Sequence, residues 1–111
     1  MAQHIPVEFV RFPTFEKTAA GILTETDIFE LELLLTVQPD AGDLIPTGRG
    51  LRKLRWSARG HRKRSGARII YYNVTSQDTI LLITAFAKNR QEDLDRRQLQ
   101  ILAALIKSEF P

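Results

Sequence analysis

The chain has 111 residues and a formal net charge of +3, with 43% apolar and 26% charged residues. These values fit one globular domain over residues 1–111 with a modest core. The sequence contains no membrane-spanning stretch of about 18 unbroken apolar residues, and without cysteine it has no disulfides or thiolate metal sites. The two histidines lack a zinc-ligand spacing. We therefore expect a cytoplasmic protein without a metal or cofactor.

The charges are distributed unevenly along the chain. Residues 1–46 carry a net −6, residues 47–72 carry nine cations and no acid, and residues 73–111 are neutral, which together give the total of +3. A block of cations without an acid concentrates positive potential in one region and favours a polyanionic partner. A solvated face or a basic surface loop is the alternative interpretation of the same block.

The first part of the chain predicts one strand and two helices. Residues 6–12 (PVEFVRF) have the composition of a strand, and a short helix is expected over 15–22. Thr24 and Asp27 have the spacing of a capping box. They open a helix over about 25–37, in which four apolar residues recur at helical spacing: Ile28, Leu31, Leu34 and Leu35.

The second part predicts three strands and a helix. A turn-rich connection over 39–50 leads to strands over 51–58, 66–74 and 79–87, the last apolar on both faces and therefore central in its sheet. The order βααβββα predicts an α+β domain with an antiparallel sheet and helices packed against it. The C-terminal helix is expected over 93–110, with a buried stripe formed by Leu99, Leu102, Leu105 and Ile106.

The predicted strands bring several cations together. Because side chains alternate between the two faces of a strand, Lys53 and Arg55 share one face. If the two basic strands pair as a hairpin, Arg68 lies near them, and Tyr72 on the same face is placed to stack on an unpaired base. Lys88 follows the last strand and is expected at the edge of the same sheet. Arg52 on the first of these strands is also a candidate RNA contact. The loop between the basic strands adds further candidate contacts at the rim: Arg59, His61, Arg62, Lys63 and Arg64.

Such a group of cations suits chemistry as well as binding. Cleaving RNA requires a base for the 2′-hydroxyl, donors for the pentavalent phosphate and an acid for the leaving oxygen. Arginine binds phosphate through paired hydrogen bonds. A lysine ordinarily has a pKa of about 10.4, and neighbouring cations disfavour the protonated form. Lys53, packed among Arg52, Arg55 and Arg68, is therefore a candidate base, and the alternative is that all these cations only hold phosphates.

Three segments resemble the HigB-like branch of the RelE/ParE toxin superfamily, whose members are the toxins of type II toxin–antitoxin pairs. They are PDAGDLIPTGRGLRKLRW, RGHRKRSGARIIYY and AFAKNRQEDL, and the match covers residues 39–94. The resemblance implies a metal-independent mRNA interferase that enters the ribosomal A site. It implies attack of the 2′-hydroxyl on its own phosphate, which leaves a 2′,3′-cyclic end. The implied partner is a HigA-like antitoxin with a helix-turn-helix DNA-binding domain.

The resemblance also implies residue roles. By position, Lys53 matches the candidate general base, Arg55 a phosphate stabiliser and Arg68 a transition-state clamp. Lys88 matches a basic residue that is a phosphate ligand or the leaving-group acid, and the identity of the acid stays open. The sequence departs from the family pattern at Arg49 and Ser65, where glycine is common, and at Phe86, where tyrosine is frequent.

Two other functions are compatible with the sequence. A gyrase poison of the ParE branch shares the fold but binds a topoisomerase, and it has no need of a lysine within a dense cation cluster. A non-catalytic RNA-binding module would bind with the same salt dependence as the ribonuclease and leave the RNA intact.

Overall fold

The computed structural model describes residues 7–46, 48–56, 66–87 and 95–110. Its elements confirm the α+β class and add one short strand, β2, to the predicted order. None of the helices in these ranges is long and apolar enough to cross a membrane. The elements are β1 (Glu8–Arg11), α1 (Pro13–Ala19), α2 (Glu25–Val37), β2 (Asp43–Leu44), β3 (Leu51–Trp56), β4 (Ala67–Val74), β5 (Thr79–Ala87) and α3 (Arg96–Glu109), with a 3-10 turn at Thr75–Gln77.

The five strands form one mixed sheet in the order β1-β5-β4-β3-β2. Neighbours from β2 to β5 are antiparallel, but β1 runs parallel to β5. The prediction of a wholly antiparallel sheet is therefore wrong for β1. A short connection forces adjacent strands to be antiparallel, whereas β1 and β5 are separated by most of the chain and no turn sets their direction.

Helices cover both faces of the sheet. We call the side under α1 and α2 the α1/α2 face, where Phe15 and Leu35 pack against Ile69 and Leu82. The other side is the α3 face, on which Leu99 and Ile106 of α3 meet a second apolar cluster. Burial on both sides explains why β5 carries apolar residues on both faces, as its sequence predicted. The α3-face cluster is formed by Leu51, Ile70, Val74, Leu81 and Ile83 from the sheet.

The helix ends follow local chemistry. The capping box of α2 is present as predicted, since the Thr24 N–H donates to Asp27 Oδ2 at 2.9 Å and the Asp27 N–H donates to Thr24 Oγ1 at 3.0 Å. Helix α1 begins at Pro13, earlier than predicted, because proline suits the first helical turn. The predicted burial of Leu105 is wrong: its exposed fraction is 54%, because six positions of helix rotate it about 240° from Leu99.

Candidate functional site

The register of β3 and β4 places two arginines directly opposite each other. Arg55 pairs with Arg68, and Lys53 pairs with Ile70. Opposed residues of an antiparallel pair project from the same face, with Cβ atoms about 4.5–5.5 Å apart, and diagonal neighbours lie about 7–8 Å apart. Lys53 and Arg55 therefore lie beside Arg68 on the α3 face. We call these three residues the basic cluster.

The arginines of the basic cluster have no carboxylate to neutralise them within the described ranges. The ion pairs there join Arg11 to Glu25 and Glu32, and Arg52 to Asp40. Neither Arg55 nor Arg68 takes part in one, although only 9% of Arg68 is exposed.

This arrangement opposes folding stability. Like charges placed directly opposite in a sheet destabilise it, and a buried charge is costly unless a counter-charge pairs with it. Arg55 and Arg68 are directly opposed, and Arg68 is also buried, whereas Arg55 is exposed. An external anion bound beside the two arginines would offset this cost, and arginine binds phosphate well through paired hydrogen bonds.

An aromatic residue extends the basic cluster across the sheet. Phe86 on β5 pairs with Arg68 from the side opposite Arg55, so the three side chains form a row on the α3 face. Phe86 is half-buried. The sequence marked this position only as a departure from a family pattern, although strand alternation along β5 could have placed it on this face.

Arg52 lies apart from the basic cluster. It pairs with Tyr71 and therefore projects from the α1/α2 face. The expectation that Arg52 packs beside Lys53 is wrong, because neighbouring residues of a strand project from opposite faces. Arg52 Nη1 donates to the carbonyl of Gly42 at 2.7 Å, and Nη2 lies 3.5 Å from Asp40 Oδ1. These contacts attach the connection after α2 to β3, and a contact of Arg52 with RNA stays a prediction.

Tyr71 holds the same connection from the core. Its side chain is 0% exposed; its hydroxyl accepts from the Gly42 N–H at 2.9 Å and donates to the Pro39 carbonyl at 2.7 Å. Burial raises the pKa of the Tyr71 phenol, since the charged form would lose its hydration. A Cβ at Gly42 would lie 2.8 Å from Tyr71 Cε1, so this close approach requires glycine.

A cleft lies on the α3 face next to the basic cluster. Tyr72 pairs with Leu51, one face-sharing position along β3 from Lys53. The cleft has a volume of about 190 Å³, and apolar side chains form its walls, whereas two exposed cations stand at its rim. Its lining includes Arg49, Leu51, Tyr72, Ile106, Lys107 and Phe110.

The turn before β3 builds one wall of the cleft in a constrained conformation. Arg49 has φ 53° and Gly50 has φ 105°, and a Cβ at Gly50 would lie 2.7 Å from the Tyr72 ring. Backbone bonds within the turn, from the Leu51 N–H to the Gly48 carbonyl and from the Ile45 N–H to the Leu51 carbonyl, keep it compact. The left-handed conformation at Arg49 favours glycine, which is the residue that the resembled family commonly has there.

The structure brings only part of the predicted site together. Lys53, Arg55, Arg68 and Tyr72 share the α3 face, and Arg52 does not. The sequence did not single out Lys107 on α3 or Phe110 directly after it, because no local signal shows that the end of this helix reaches the same cleft as Tyr72. The remaining predicted site residues lie outside the described residues: Arg59, His61, Arg62, Lys63, Arg64 and Lys88.

The chain matches no protein-family model.

Proposed function

We propose that this protein is a ribosome-dependent mRNA endoribonuclease, the toxin of a type II toxin–antitoxin pair, with a RelE-like fold. The observation that carries the proposal is the buried Arg68, directly opposite Arg55 and without a carboxylate partner in the described part of the chain. An acid-free block of nine cations and the HigB-like segments over 39–94 support the same conclusion.

The proposed reaction needs no metal or cofactor. The 2′-hydroxyl oxygen attacks the adjacent phosphorus, its proton passes to Lys53 as the general base, and the bond from phosphorus to the 5′-oxygen breaks. Arg55 and Arg68 donate to the non-bridging oxygens, where negative charge accumulates in the pentavalent transition state. A proton donor, for which Lys88 is the candidate, protonates the leaving 5′-oxygen. The products are a 2′,3′-cyclic phosphate and a free 5′-hydroxyl.

The proposed partners follow from this activity. The substrate is mRNA in the ribosomal A site, and the inhibitor is a HigA-like antitoxin that carries a helix-turn-helix domain. Restraint by a partner is expected because an uncontrolled ribonuclease stops translation in its own cell. A reading frame for such an antitoxin should lie beside the gene of this protein.

The experiment adds purified protein to a translating extract and maps 5′ ends of a reporter mRNA. We expect cuts in phase with codons, and no cuts when ribosomes are stalled before initiation. Arg68→Ala should lower the cleavage rate by about 100- to 1000-fold, the usual effect of removing one transition-state donor. Arg68→Lys should retain part of the activity, because it keeps the charge and loses the paired hydrogen bonds.

Lys17→Ala is the matched control, because Lys17 is an exposed cation on α1, on the other side of the sheet. It should cleave at the wild-type rate. Arg68→Ala should also unfold at the same urea concentration as the wild type or a higher one, since the substitution removes a buried charge without a counter-charge. Intact mRNA at protein levels that stop growth would refute the proposal, and DNA-damage signalling with intact transcripts would identify a gyrase poison instead.

A further inference from the structure

The cleft beside Tyr72 has the features of a binding site for a flat, partly charged ligand. Its walls include the rings of Tyr72 and Phe110 and the aliphatic side chains of Leu51 and Ile106. Its volume of about 190 Å³ lies below the roughly 300–1000 Å³ of pockets for drug-sized molecules. A single planar ring system therefore suits it better than a larger ligand.

The charges around the cleft favour an anionic group at its mouth and not within it. Arg49 and Lys107 are exposed there. Ile106 and Lys107 in the last turn of α3 also line the cleft, and the carbonyl groups at the C-terminal end of a helix carry partial negative charge. An anionic group is therefore stabilised at the rim and disfavoured inside, so the ring enters the cleft and the charge stays at its mouth.

The position of the cleft links it to the basic cluster. Leu51, Lys53 and Arg55 succeed one another on the same face of β3, and each two-residue step along a strand covers about 7 Å. A ligand that extends from the Arg55–Arg68 pair along β3 passes Lys53 and then reaches Tyr72. Single-stranded nucleic acid combines a phosphate backbone that follows a basic groove with bases that stack on aromatic side chains.

We propose that this cleft holds one unpaired nucleobase of the RNA strand whose phosphates lie on the basic cluster. Tyr72 and Phe110 contact the base, and Arg49 and Lys107 bind the phosphate next to it. The inference rests on the proposed function for its ligand, and it adds a subsite formed by the turn before β3 and the end of α3. In this proposal the left-handed conformation of Arg49 has a use, because Arg49 supplies a guanidinium group at the mouth of the cleft.

The test measures binding of two uncleavable probes by fluorescence anisotropy. The first is a 2′-O-methyl RNA hexanucleotide, which lacks the nucleophilic hydroxyl, and the second is a hexamer of abasic residues with the same number of phosphates. Phe110→Leu should weaken binding of the first probe by about 5- to 100-fold, the range for losing one base–aromatic stack. It should leave binding of the abasic probe unchanged.

The variants are chosen so that folding and binding are separated. Leucine keeps the apolar contacts of Phe110, which is half-buried against the α3-face cluster. Ile101→Ser is the control on the same helix, because 54% of Ile101 is exposed and it does not line the cleft; it should bind both probes as the wild type does.

Arg49→Gly provides an independent readout. It should reduce the slope of log affinity against log salt concentration by about 0.7, which corresponds to one phosphate contact. It should not lower the urea midpoint, because glycine adopts φ 53° without strain. Phe110→Leu should leave the salt slope unchanged, because it removes a stacking contact and no charge.

Equal weakening of both probes by Phe110→Leu, or no weakening of the first probe, would overturn the inference. So would the absence of saturable binding to the wild type. The extract assay separates this outcome from the proposed function. Codon-phased cleavage together with unchanged probe binding in Phe110→Leu rejects the nucleobase subsite alone. Base-dependent binding without any cleavage in the extract rejects the ribonuclease and retains the cleft as a nucleobase site.

Discussion

Replacing Tyr71 with phenylalanine removes one oxygen atom from the core and leaves the ring in place. That oxygen is bonded to the Gly42 N–H at 2.9 Å and to the Pro39 carbonyl at 2.7 Å. A buried group left without its partner costs about 1–3 kcal/mol. Gly42 is buried, whereas water can reach the half-buried Pro39. We therefore expect a loss of about 2–4 kcal/mol, a large share of the 5–15 kcal/mol that stabilises a typical domain.

Urea unfolding followed by circular dichroism measures this loss. With a slope of about 2 kcal/mol per molar urea, in the middle of the usual range for small proteins, the midpoint should fall by roughly 1–2 M while the slope stays the same. Tyr72→Phe is the control, because Tyr72 is half-buried on the other face, and it should change stability by less than about 0.5 kcal/mol. Equal midpoints for the two variants would refute the view that the Tyr71 hydroxyl anchors the connection after α2.

Three further predictions concern pH, a helix cap and the turn before β3. Because the folded state raises the pKa of Tyr71, the hydroxyl contributes fully to the free energy of unfolding below about pH 10, and this contribution is lost as the pH rises towards the folded pKa. Urea titrations should therefore show that the difference in stability between wild type and Tyr71→Phe becomes smaller above about pH 10. A constant difference would contradict this prediction. Thr24→Ala should cost about 1 kcal/mol, because it removes the side-chain acceptor for the N–H at the third position of α2, and an unchanged urea midpoint would count against the capping box. Gly50→Ala should destabilise the fold by about 1–3 kcal/mol and alter the near-ultraviolet signal of Tyr72, because alanine is strained at φ 105° and its Cβ meets the ring at 2.7 Å. Gly21→Ala, where an added Cβ has nothing within 4 Å, should do neither.

Much of the fold could be predicted because its signals are local. The Thr24–Asp27 box and the spacing of Ile28, Leu31 and Leu35 act within a few residues, and α2 begins and ends as they predict. The limits of β5 were also predicted, because an apolar run between turn residues has few alternatives. Leu105 was assigned to the wrong side of α3, because apolar residues also occur on the exposed face of a helix.

The site was predicted only in part, because only some of its signals are local in the sequence. Alternation along a single strand places Lys53 and Arg55 together and separates Arg52 from them, a consequence that the sequence analysis did not draw. The hydrogen bond from Arg52 to Gly42 joins β3 to the connection after α2, and no pattern within either segment predicts it.

The amino-acid order by itself determined the capping box of α2, the order of the longer elements and the alternation of strand side chains between two faces, because these depend on neighbours a few positions away. Only the tertiary structure decided that β1 runs parallel to β5, that Arg55 lies opposite Arg68 and that Phe110 and Tyr72 line the same cleft. Strand register and helix docking are set by burying the apolar faces of all elements at once. That condition involves residues from the whole chain, so no single segment contains it.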